Sequence, residues 1–120
     1  YISPLFMYIF LTLFSLFFIM KRLELSMGRM IPNGGTVNDF LMDEFIRENI
    51  LPRMEYGTLI DGEGFWKGEH EPVKILYVDV TEDELISMRK VFTEIANLYK
   101  KAFNQDAVLM SEVVTNDALI

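Results

Sequence analysis

Three titratable side chains in a row, Glu69, His70 and Glu71, set possible metal donors side by side. Carboxylates and an imidazole can ligate a metal, but alternate donors read as a hairpin loop between Lys67 and Pro72 carry little pre-organisation, so a solvated turn is the plainer reading. Asp61 and Glu63, two residues apart on one face of an expected strand, could share a proton or hold a cation; a solvated strand face is the plainer reading. His70 is the only histidine and cysteine is absent, which excludes disulfides, thiolate nucleophiles, Cys-ligated zinc and a His-rich metal site within one chain. Any Ser-His-Asp set would have to use His70. Gly34 and Gly35 lack the further glycine, lysine and strand-to-helix setting of a phosphate loop. No catalytic residue, metal site or cofactor is therefore expected.

Charge narrows the partners further. Eleven basic against 18 acidic side chains leave a formal net charge of -7, with no run of Lys or Arg. Nucleic acid is not an expected partner, because phosphate binding draws on clustered cations that release counterions. All of the charged side chains lie from Lys21 onward. Before them, Leu5 to Met20 reads LFMYIFLTLFSLFFIM, broken only by Thr12 and Ser15, whose hydroxyls can bond back to helix carbonyls. Residues 1–20 are thus expected to form an apolar helix that acts as a membrane anchor or export signal. The large residues Phe17, Phe18, Ile19 and Met20 suit an uncleaved anchor better than a cleavage site. Its orientation, and hence the leaflet, is left open, and a helix buried against protein is the third reading.

The elements after that segment follow from periodicity. Lys21 to Met30 alternates, with Leu23, Leu25 and Met27 on one side, as in a strand. Pro32 to Gly35 forms a turn, Thr36 with Asp39 resembles a helix N-cap, and Val37, Phe40, Leu41, Phe45 and Ile50 make a helical stripe ended by Pro52. Glu55 to Trp66 reads as a second strand and Val73 to Val80 as a third. Thr81 and Glu84 form a capping box opening a long helix along Leu85, Met88, Phe92, Ile95 and Tyr99, which Asn104 and Gln105 end. Ala107 to Val114 is the last strand and residues 115–120 a tail.

The order β-α-β-β-α-β over residues 21–114 predicts an α+β domain of ferredoxin-like type, with two helices on one face of a four-stranded antiparallel sheet. Strand Val73–Val80 is apolar on both sides, Val73, Ile75 and Tyr77 against Leu76, Val78 and Val80, so the face away from the helices needs a cover. A second copy is the economical one, giving a homodimer; a ligand pocket and the N-terminal segment are the others.

Several landmarks have a family likeness. Leu51-Pro52-Arg53, then Gly57, Thr58, Asp61, Gly62, Gly64 and Trp66, then Glu71, Pro72 and Lys74, and finally Tyr99, Phe103, Gln105, Val108 and Leu109, recur in order and spacing. The stretch from Phe40 to Leu109 resembles the domain of unknown function 3574 family, small proteins mostly found behind bacterial signal or lipoprotein peptides. Met54, Phe65 and Val73 depart from its pattern, and Phe65 removes any polar role of its position. The resemblance implies fold and export to the cell envelope, and carries no activity. It also singles out Trp66, Glu71, Lys74 and Tyr99, which mix aromatic surface with charge. A structural reading makes Glu71 and Lys74 a hairpin salt bridge and Tyr99 a core aromatic; a functional one makes all four the lining of a small-ligand site. The expected function is a membrane-anchored or exported binding or assembly module that self-associates through its sheet. The alternatives are a small-ligand binder or enzyme using the open face, and a structural subunit of a membrane complex.

Overall fold

A computed structural model describes residues 3–4, 17–32 and 34–120. The core of the predicted anchor, residues 5–16, lies outside the described residues. Among the described residues, no helix is long and apolar enough to cross a membrane.

Strand β1 runs Phe18–Gly28, followed by two short strands that pair with each other, β2 Met30–Ile31 and β3 Gly35–Thr36. Helix α1, Asp39–Phe45, continues as a π-helical turn over Ile46–Ile50. Strands β4 Thr58–Trp66 and β5 Glu69–Val80 form a hairpin, α2 spans Glu82–Phe103, and β6 Leu109–Asp117 closes the domain. The sheet order is β4-β5-β1-β6 with every neighbour antiparallel. The molecule is thus α+β, a four-stranded antiparallel sheet with two helices.

The core forms where two period-two rows and two helical stripes meet. Leu23, Leu25 and Met27 of β1 and Leu76, Val78 and Val80 of β5 point under the helices, against Met42, Phe45 and Ile50 from the α1 region and Leu85, Phe92, Ile95 and Tyr99 from α2. Burial of these side chains, at about 1.5–3 kcal/mol each, is what binds helices to sheet. Ile50 reaches the core because the π turn adds one residue between it and Phe45, restoring the phase that a regular helix would have lost.

Several boundaries differ from those read in the sequence. β1 begins at Phe18 rather than Lys21, since Phe18, Ile19 and Met20 pair with Asp117, Asn116 and Thr115, and β6 correspondingly extends through Asp117. A uniformly apolar run hides the alternation that would have shown this. The α1 cap is Asn38, whose side-chain oxygen accepts from the Leu41 N–H at 2.9 Å, not Thr36, which is engaged in β3. Phe40 is exposed and Met42 takes its expected place in the core. The hairpin turn is only Lys67 and Gly68, both left-handed at φ 49 and 83. That two-residue geometry matches strand twist, so pairing runs to Trp66 and Glu69, and Glu69 to Pro72 lie in β5 rather than in a loop.

Candidate functional site

Two groups of polar side chains stand on opposite sides of the sheet. The first lies on the helix side, where β1 ends. Arg29 is buried there: its Nε donates to the Val37 carbonyl at 2.8 Å, one Nη lies 2.8 Å from Asp39, and the other 3.7 Å from Asp61. Lys74 follows from β5, with its Nζ 2.7 Å from the Asp61 carboxylate. The Lys74 hydrogen bond, its charge and then Arg29 hold the Asp61 carboxyl below the usual carboxylate range. Two cations and two carboxylates therefore satisfy one another at the entry to α1, and a guanidinium with fixed bidentate geometry suits that bridging role.

Beside this cluster the Tyr99 hydroxyl donates to the Gly28 carbonyl at 2.6 Å. Burial pushes the Tyr99 hydroxyl up to about 12, with Arg29 opposing and Glu71 adding to the rise. Glu71 turns to the other side, accepting from the Met30 N–H at 3.3 Å, and its carboxylate occupies the space a Cβ at position 28 would need. Gln105 closes the same turn by donating to the Met30 carbonyl at 2.8 Å.

The four residues expected to line a ligand site are therefore divided. Lys74 and Tyr99 lie on the helix side, Tyr99 fully buried in the core and packed edge-on to Phe45 at 5.2 Å between ring centroids. Glu71 braces the β1–β2 turn instead of pairing with Lys74, because alternation in β5 sends residues 71 and 74 to opposite faces. Trp66 stands 71% exposed at the hairpin end, with the Lys67 Nζ 5.4 Å from its ring centre. His70 does not converge with Glu69 and Glu71; its Nδ1 lies 2.6 Å from Glu63 across the hairpin. Asp61 and Glu63 do share a face, but each is taken by its own cation or imidazole.

The second group occupies the open face and was missed in the sequence. Arg22 of β1 donates to both Asp79 oxygens, at 2.6 and 3.1 Å, and its guanidinium lies 4.3 Å from the Tyr77 ring centre. The Arg22 hydrogen bond holds Asp79 below its ordinary range, while hydrogen bonding to Asp79, then burial, raises Asp117. A depression of about 350 Å³ is lined by Arg22, Tyr56, Thr58, Tyr77 and Asp79. Arg22 and Asp79 are 57 residues apart and only strand pairing joins them; the available signal was their opposite charge on two expected strands.

This geometry defines a small α+β domain with a self-satisfied charge cluster on the helix side of its sheet and, among the described residues, no element covering the other face. The chain belongs to the family described as a protein of unknown function (DUF3574), whose pattern matches residues 22–117. No curated protein and no solved structure matches the chain.

Proposed function

We propose that this protein is a small noncatalytic binding or assembly module, exported or held at a membrane by its apolar N-terminal segment, which associates with a second copy through the open face of its sheet. The observation supporting it is the composition of that face. Ile60, Val73, Ile75, Tyr77, Met20, Val113 and Leu109 share it by register, and Ile60, Val113 and Leu109 are exposed. Four strands of about nine residues give a face of roughly 19 by 30 Å, or about 570 Å² before side-chain relief is counted. That is comparable with the roughly 800 Å² per partner of a standard interface. The strand order β4-β5-β1-β6 supports assigning the domain to the ferredoxin-like arrangement, in which this face is the one without helices.

A small-ligand binder is the second reading, favoured by the depression beside Arg22, Tyr56 and Tyr77, which offers a cation and two aromatic side chains to an anionic or aromatic group. Sedimentation separates the two. Loss of one association step on Ile75→Glu, with the fold retained, supports face pairing, and a monomeric wild-type domain defeats it.

A further inference from the structure

The two outer strands of the sheet are unlike. The β4 edge carries two glycines, Gly62 and Gly64, which weaken a strand and discourage further pairing. β6, Leu109–Asp117, has no proline, glycine, lysine or arginine among its nine residues. Apolar side chains are exposed on both of its faces, Val113 46% on the open side and Val114 60% on the helix side, beside the polar Ser111, Glu112, Thr115, Asn116 and Asp117. Among the described residues no strand lies beyond it. An edge of this kind is a template for strand addition.

We propose that β6 pairs antiparallel with β6 of a second copy, joining two sheets into one of eight strands. A second copy of the same chain fits this edge in register. A two-fold axis normal to the sheet keeps both helix layers on one side, so only residues of the same parity can be opposite each other. Val113 is the midpoint of β6, and centring the axis there overlaps all nine residues. Leu109 then faces Asp117, Met110 faces Asn116, Ser111 faces Thr115 and Glu112 faces Val114. No acid meets an acid. Moving the centre to Glu112 would set that carboxylate against its own copy, and moving it to Val114 would leave Leu109 and Met110 unpaired. Glu112 already receives both Arg89 donors, at 2.8 and 3.0 Å.

This contact goes beyond the face pairing proposed above and is separable from it, because Val114 lies on the helix side and Ile75 on the open face. The absence of cysteine allows single-cysteine variants of the full chain to be oxidised in membranes or detergent and read as cross-linked dimer. Val113→Cys is expected to cross-link, since opposed Cβ atoms at an antiparallel pair lie about 4.5–5.5 Å apart; Glu112→Cys and Val114→Cys are not. In the Val113→Cys chain, adding Val114→Glu should abolish the cross-link by opposing Glu112 of the second copy, whereas Val114→Lys should retain it. Adding Ile75→Glu should leave it intact, so that failure of the face contact is read separately. The edge proposal is overturned if Val113→Cys gives no dimer, if Glu112→Cys or Val114→Cys cross-links equally well, or if Val114→Glu and Val114→Lys behave alike.

Discussion

The Tyr99 hydroxyl ends 2.6 Å from the carbonyl of Gly28, joining the last third of α2 to the end of β1 across 71 residues of chain. The ring supplies core packing against Phe45 and Phe103, and the hydroxyl satisfies a carbonyl at the point where β1 leaves the sheet. These two contributions can be separated by substitution. Tyr99→Phe keeps the ring and strips the donor, and should cost about 1–2 kcal/mol; Tyr99→Ala also opens a cavity, and should cost about 3–5 kcal/mol. Urea denaturation of both variants measures the difference, and equal losses would show that the hydroxyl contributes nothing.

Tyr99 also predicts a limit at high pH. Its hydroxyl is pushed up to about 12 in the folded state, above the ordinary tyrosine value near 10. A raised folded value means a stabilising contribution fully present below about 10 and lost as pH rises toward 12. Ultraviolet titration should therefore show one of the five tyrosines ionising late, together with unfolding. Tyr99→Phe should remove that late step.

Asp79 gives the opposite sign at low pH. Its folded value is depressed by Arg22, so the stability it contributes is present above the ordinary carboxylate range and disappears as pH falls through the lower folded value. The stability difference between wild type and Asp79→Asn should accordingly shrink below about pH 4. Asp117, raised by its contact with Asp79, acts the other way, and Asp117→Asn should gain stability at neutral pH. Thermal melts across pH 3 to 7 measure both, and a pH-independent Asp79→Asn effect would be the contrary result.

Neighbouring residues on β5 should respond oppositely to one substitution. Leu76 is buried under the helices, so Leu76→Glu places an unpaired carboxylate in the core and should unfold the domain. Ile75 lies on the open face, and Ile75→Glu should keep the circular dichroism spectrum while changing only the sedimentation coefficient. Folded Leu76→Glu protein would show that the core is misplaced.

The N-terminal segment makes a prediction about localisation. The full chain should sediment with membranes and resist carbonate extraction, while a chain beginning at Phe17 should be soluble. The cut must spare Phe18, Ile19 and Met20, which pair with β6. Full-length protein recovered in the soluble fraction at its uncleaved mass would contradict the anchor.

The sequence by itself determined the elements whose signals are local. The α2 stripe of Leu85, Phe92, Ile95 and Tyr99 is buried as its spacing requires, and Asn104 ends that helix in the left-handed conformation that suits asparagine. Alternation in β1 placed Leu23, Leu25 and Met27 on one buried face. Only the tertiary structure decided which side of β5 that face joins, because a strand apolar on both sides carries no preference of its own. The consequence fell on the candidate site: Lys74 went beneath the helices to Asp61, Glu71 went to Met30, and Arg22 met Asp79 and Tyr77 on the face left open. Each of these partnerships depends on strand order and register between segments far apart in the chain, whereas period and capping act within a few residues.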